Sequence, residues 1–182
     1  EFKSDWTTVK VEEEYLFKNG LNKEKEFFGR GFSIVNFTDV YHNPILSMSQ
    51  CKGLVDVNES EKDRFKVSYG DIMFTRTSET IHDIGMSSAI VDEEVNAVFS
   101  GFVLRATPQR NNLTPHFAGY LFRSPSVRKE IVRKSSFTTR ALTSGTSLSA
   151  VLISYPSYLE QVKIASLLHL VDQKINLLTK KK

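Results

Sequence analysis

The stretch Pro156-Ser157-Tyr158-Leu159-Glu160-Gln161-Val162-Lys163-Ile164-Ala165, running on to Lys182, sets the architecture of the whole chain. Proline ends what precedes it. Ser157 and Glu160 have the S-x-x-E spacing of a capping box, in which two side chains satisfy backbone N–H groups left bare at a helix start. Beyond the box, Ile164, Leu168, Val171, Ile175 and Leu178 fall at steps of 4, 3, 4 and 3, the seam of a coiled coil. Leu167, Leu170 and Leu177 widen the apolar stripe, which suits a helix touching more than one neighbour. Within these 182 residues no later element is expected to bury this seam. The helix is therefore expected to pair with another helix, as the 3–4 spacing favours, or to fold back on its own body, with contacts near Leu159 and Val162.

Upstream, the 182 residues suit one mixed α/β (α+β) body over residues 1–156 followed by the helix over 157–182. Hydrophobic residues make up 40% and aromatic residues 11%, enough for a sizeable core. Trp6, Val9 and Val11 read as core anchors at the start. Short strands are expected at Phe32–Val35, Leu54–Val57, Ile72–Thr75 (after a Gly70-Asp71 turn), Ser88–Val91 and Val151–Ile153, with one nearly all-apolar central strand over Ala97–Arg105. The period then switches. Phe117, Tyr120 and Leu121, then Val127, Ile131 and Val132, fit two helices meeting at Ser124-Pro125, a cap followed by proline at the first helical position.

The net charge of +3 says little, but its distribution says more. From Arg105 to Arg140 there are eight basic residues (Arg105, Arg110, Arg123, Arg128, Lys129, Arg133, Lys134, Arg140) against the single acidic Glu130. Such a surface suits a polyanion, although helices often carry charge only to stay solvated. Cys51 is the only cysteine, which leaves no disulfide framework, and His42, His82, His116 and His169 lack metal-ligand spacing. There is no P-loop, and Gly29-Arg30-Gly31 is too short for a dinucleotide fingerprint. There is also no Asn/Asp-Pro-Pro-aromatic tetrapeptide of amino-methyltransferases and no G-x-S-x-G elbow. The chain is expected to be neither an enzyme nor a cofactor protein. With no signal peptide and no transmembrane run, a cytoplasmic location and no membrane partner are expected.

Three segments carry a resemblance. Trp6 with Val9 and Val11 opens the domain. Gly70-Asp71-Ile72-Met73-Phe74-Thr75-Arg76-Thr77-Ser78 is similar to a G-D-I-L-x-x-R-x-S stretch. Pro156 to Ile164, with Leu170, Asp172 and Ile175, is similar to P-x-x-x-E-Q-x-K-I-x-x-x-L-x-x-x-D-x-x-I, the most specific of the three. In these features the chain resembles the specificity (S) subunit of type I restriction-modification systems. The resemblance implies a target recognition domain that reads one half of a split double-stranded DNA sequence. It also implies a long helix that pairs with a second one to space the half-sites, and docking to methyltransferase subunits that modify adenine and to restriction subunits. A full subunit has two such domains and two such helices. This chain has one of each, and is expected to be a natural half-subunit that pairs with its own copy, or a piece of a longer one.

On this reading Arg76, Thr77 and Ser78 at a strand end supply a guanidinium and two hydroxyls to DNA. Thr138 and Arg140, with Thr139 and Thr143, form a second such cluster, and Lys134 on the basic helix suits a phosphate. The competing role for Arg76 is a structural ion pair, and Thr77 and Ser78 could instead cap a turn. Ile164, Leu168, Val171, Ile175 and Leu178 form the pairing seam. Gln161 and Asp172 beside it either fix register or meet a partner subunit. A different class of function, a module that binds a protein through its terminal helix and never touches nucleic acid, is separated from this one by salt-sensitive DNA affinity.

Overall fold

The computed structural model describes residues 5–179. Strand β1 (Thr7–Lys10) enters a short turn that leads into β2 (Tyr15–Asn19) and β3 (Phe28–Val35). Helix α1 (Phe37–His42) follows, opened by Asn36, whose N–H donates to Asp39 at 2.8 Å. Then come β4 (Ile45–Leu46), β5 (Gly53–Val55) and α2 (Glu59–Phe65), the last closed by a reciprocal cap between Asn58 and Glu61 at 2.9 Å in both directions. The central run is β6 (Ile72–Thr75), β7 (Thr77–Ser78), β8 (Ser87–Ile90), β9 (Ala97–Phe99) and β10 (Val103–Pro108). Two helices follow, α3 (Pro115–Leu121) and α4 (Pro125–Lys134), each with proline in its first turn, where no N–H partner is lost. The chain ends through β11 (Ser136–Phe137), β12 (Ala141–Leu142), α5 (Gly145–Ser149), β13 (Leu152–Tyr155) and α6 (Tyr158–Thr179).

Five strands form the main sheet in the order β2-β10-β6-β8-β4. The central strand β6 is buried along its whole length because both faces are covered. Ile72 and Phe74 point into a core shared with Phe117, Phe122, Ile131 and Leu148, whereas Met73 points the other way, towards Val35, Val40, Phe99 and Val103. This is the period-2 alternation of a strand with two apolar faces. Phe122 meets Phe74 edge-on at 5.0 Å. Gly70 has φ +84, a conformation glycine adopts without strain, and it turns the chain into β6. The buried Asp71 closes that turn, accepting Ser68 N–H and Thr107 Oγ1–H at 2.8 Å each. Burial pushes its carboxyl above the usual range, partly offset by those two bonds and by Arg105.

Two expectations are corrected here. Residues 97–105 form two strands in different sheets, β9 beside β3 and β10 in the main sheet, separated by a turn at Ser100-Gly101-Phe102. An apolar run records burial, and it is equally compatible with two short buried strands around a glycine. Trp6 is 48% exposed, while Val11 holds the core position. Strand β10 continues as far as Pro108, paired with Tyr15.

Helix α6 lies against α3 through its Gln161/Ala165 face, both residues being buried, with Ile164 packed on the core beside them. The contact expected near Leu159 and Val162 is made by Gln161 between them, while those two side chains are themselves 72% and 41% exposed. Gln161 does the anchoring. Its Oε1 accepts Thr114 N–H at 2.9 Å, and its Nε2 donates to Asn112 O at 2.8 Å and Pro156 O at 3.0 Å. Three turns on, Asp172 accepts Tyr120 O–H at 2.8 Å. Both polar residues beside the seam are therefore committed to the body, which fixes the direction of the helix. Ser157 donates its hydroxyl to Glu160 at 3.2 Å at the helix start. Lys180–Lys182 lie outside the described residues.

Candidate nucleic-acid interface

Two polar segments that lie more than fifty residues apart in sequence meet as one small sheet, β11-β12-β7. Ala141 pairs with Ser78 and Leu142 with Thr77, and Thr143 N–H donates to Arg76 O at 3.0 Å. The pairing brings Thr77, Ser78 and Arg140 to one surface, with the Arg76 backbone held beside it. A groove of about 410 Å³ lies there, walled by Thr77, Ser78, Arg140, Phe102, Tyr41 and Asp83. Phe102 is 68% exposed at the tip of the β9–β10 turn, and its carbonyl accepts Arg76 N–H at 3.1 Å. Burial and the facing Asp83 carboxylate push the Tyr41 phenol up.

Arg76 is partly buried, and among the described residues its guanidinium has no hydrogen bond or ion pair. The structural ion pair weighed from sequence is not formed. Arg140 does have a partner, Glu79 at 3.0 Å, with both side chains largely exposed. Exposed pairs of this kind contribute about 0–1 kcal/mol, so an incoming phosphate or base can displace the carboxylate. Ser78 Oγ accepts Thr80 N–H at 3.2 Å and so caps a turn as well as facing the groove. Thr138 is exposed in the tight β11–β12 turn, where its N–H donates to Arg140 O at 3.3 Å. Lys134, in the last turn of α4, is half-buried and outside the groove.

The basic stretch itself is corrected by the structure. Arg123 faces inward, donating from Nε to Ser87 O at 2.6 Å and from Nη2 to Val40, Tyr41 and Asn43 carbonyls at 2.8, 2.9 and 3.0 Å. Arg128 donates to Gly85 O at 2.7 Å, His82 O at 2.8 Å and Ile84 O at 2.6 Å. Arg105 reaches Lys66 O and lies 3.9 Å from Asp71. Desolvation pulls the Arg123 guanidinium down to about 10, which leaves it charged at neutral pH. Arg123 therefore caps the carbonyl end of α1, the helix that carries Tyr41, and Arg128 caps the turn that carries Asp83. Neither arginine lies on a polyanion surface. Each holds one wall of the groove from behind. Arg133 pairs with Glu130 at 2.8 Å.

Phe102, Tyr41 and Asp83 were missed in the sequence. The one available signal was Gly101, which breaks an apolar run and leaves the next aromatic residue at a turn tip. The seam residues sit on α6 as spaced: Ile164 is half-buried, Leu168 37% exposed, and Val171, Ile175 and Leu178 47%, 54% and 59% exposed. Among the described residues, no three His, Cys, Asp or Glu side chains are grouped to hold a metal, and no helix is long and apolar enough to cross a membrane.

A family model for the type I restriction modification DNA specificity domain matches residues 3–182. The chain belongs to that family. The S subunit of a type I restriction-modification system from M. genitalium superposes on 98% of the chain with a TM-score of 0.66 at 17% identity. The HsdS subunit from Thermoanaerobacter tengcongensis covers 97% with a TM-score of 0.63 at 14% identity. A structure described as underlying assembly and conformational transition of the type I R-M system covers 97% with a TM-score of 0.66 at 15% identity. At these identities the likeness establishes a shared fold. The chain spans only 42%, 39% and 40% of those three chains, respectively. No curated protein matches it.

Proposed function

We propose that this specificity domain reads one half of a split duplex DNA target through the surface formed by Arg76, Thr77, Ser78 and Arg140, with Thr138 and Lys134 at its margin. It performs no chemistry itself and directs adenine methylation and restriction by partner subunits. The observation that carries the reading is the β7–β12 pairing, which sets two hydroxyls and a weakly held guanidinium on one open groove, with the unpaired Arg76 next to it in the chain. Arginine forks and hydroxyls suit base edges and phosphates alike, and a turn-tip aromatic suits a base face or a thymine methyl. The domain boundary near residue 156 belongs to the same reading. The exposed seam, with Leu167, Leu170 and Leu177 each more than 60% exposed, suits pairing with a second such helix, from its own copy or from a further unit of a longer chain.

The test is selection from a randomised duplex pool, with the chain alone and assembled with methyltransferase subunits. A recovered consensus, lost in Arg76→Ala while that variant keeps the parent's melting curve, supports the reading. Affinity without salt dependence, or none at all, refutes it and favours a module that binds only proteins through α6.

A further inference from the structure

A second groove, of about 570 Å³, is lined by Lys18, Asn19, Asn22, Asn58, Ser60 and Arg64, among others. Its one acid, Glu61, is already neutralised by Lys23 at 2.8 Å and by the backbone N–H of Asn58 at 2.9 Å. The remaining charge is positive. Lys18 Nζ is held over the groove by donating to Arg64 O at 2.7 Å, and Phe65 lies under both cations, 6.0 Å from Lys18 Nζ and 5.3 Å from the Arg64 guanidinium. Arg105 stands behind. Partial burial and the like charges of Arg105 and Arg64 pull the Lys18 ammonium below its ordinary value. Cations held together in this way gain from an anion between them, and asparagine amides and a serine hydroxyl add neutral donors without adding repulsion.

The groove adjoins the candidate interface. The Ser100-Gly101-Phe102 turn joins them: Gly101 N–H donates to Leu21 O at 2.7 Å on the wall of this groove, while Phe102 lines the other. A Cβ at Gly101 would run into Asn22, so the turn is packed tightly against the second groove. We infer that Lys18 and Arg64, with Asn22 and Asn58, form a phosphodiester subsite that clamps the backbone of the same duplex whose bases face Arg76 and Arg140 across the Phe102 ridge. The inference rests on the proposed DNA reading and adds a contact that carries affinity without sequence choice.

The test is the slope of log affinity against log salt for the parent, Arg64→Gln and Lys18→Gln/Arg64→Gln, measured on the selected duplex and on an unrelated one. Arg64 is exposed, so its variant keeps the fold even where loss of the Lys18 bond loosens α2. The expected result is a slope shallower by about one unit in the double variant, an equal loss on both duplexes, and an unchanged consensus. An unchanged slope in variants that melt like the parent overturns the subsite. So does a loss confined to the selected duplex, which would mark base contact instead. A parent that binds neither duplex fails at the earlier step and overturns the DNA reading itself.

Discussion

Replacing Gln161 by leucine tests what holds the long helix to the body. Gln161 is buried at 1% exposure and serves three backbone groups: Thr114 N–H, Asn112 O and Pro156 O. Leucine keeps the bulk and leaves all three without a partner. An orphaned buried polar group costs roughly 1–3 kcal/mol, and water reaching the loop around Asn112 offsets part of that, so the expected loss is about 3–5 kcal/mol. For a chain of this size that corresponds to a fall in Tm of roughly 10 °C. Urea unfolding followed by circular dichroism reads the loss, with Lys163→Ala on the exposed side of the same helix as control, expected within about 0.5 kcal/mol. Gln161→Glu separates hydrogen bonding from packing. Its carboxyl, desolvated and facing two carbonyls, has a folded pKa raised above the unfolded value. The favourable form is therefore present at acid pH and lost as pH rises through the folded pKa, and the gap to the parent narrows from pH 7 towards pH 4. A loss below about 1 kcal/mol in Gln161→Leu, or a Gln161→Glu gap that does not change with pH, refutes the anchoring role.

Arg123→Met strips the donors from four carbonyls and is expected to cost about 2–4 kcal/mol in urea unfolding, whereas Arg133→Ala, which breaks only an exposed pair, stays within about 0.5 kcal/mol. Arg123→Lys keeps the charge but not the fork and falls between them. Cys51 is buried and its thiol is pushed up to about 12, by burial first and then by Asp39 and Asp92, so its thiolate fraction at neutral pH is about a thousandfold below that of an ordinary thiol. Iodoacetamide should label it only through unfolding, and rapid labelling of the native chain would contradict its placement. Leu168→Asp with Ile175→Asp puts charge into the seam, and any self-association seen by light scattering across a concentration series is expected to disappear. An unchanged mass in a chain that does associate would place the contact elsewhere.

The helix was legible because its signals are local: a cap, a 3–4 step and a run long enough to count. The Gly70-Asp71 turn and strand β6 were legible for the same reason, and the structure adds the cause. Glycine adopts the positive φ, and the aspartate carboxylate closes the turn. The pairing of β7 with β12 was not legible. Two-residue strands carry no periodicity, and contacts between residues 76 and 143 are set by the body around them. The basic stretch misled for a physical reason. An arginine that caps a buried row of carbonyls and one that waits for a phosphate have the same letter and the same helical spacing, and only the direction of the side chain separates them.

That distinction shapes how the proposed reading surface is built. Tyr41 and Asp83 face the groove on short elements, Asp83 with its carboxylate accepting the Thr80 hydroxyl at 2.7 Å. α1 is six residues long and the turn at Asp83 shorter still, and isolated segments of that length are not stable in water. Arg123, in the turn just after α3, and Arg128, on α4, supply the missing constraint through seven carbonyl contacts. Helix α3 is also what Gln161 and Asp172 grip from the other side, through Thr114 and Tyr120. Helix α3 and the turn that follows it thus link one groove wall to the long helix. On the proposed function this has a consequence for spacing. A domain whose long helix swivelled would present its half-site at a variable distance, whereas the grip at both ends of α3 ties the groove and the helix to one frame. Tyr120→Phe, which removes one hydroxyl and leaves the packing, is then expected to relax the spacing preference between selected half-sites while leaving the half-site sequence unchanged. A variant that keeps strict spacing would show that the Gln161 end alone carries the coupling.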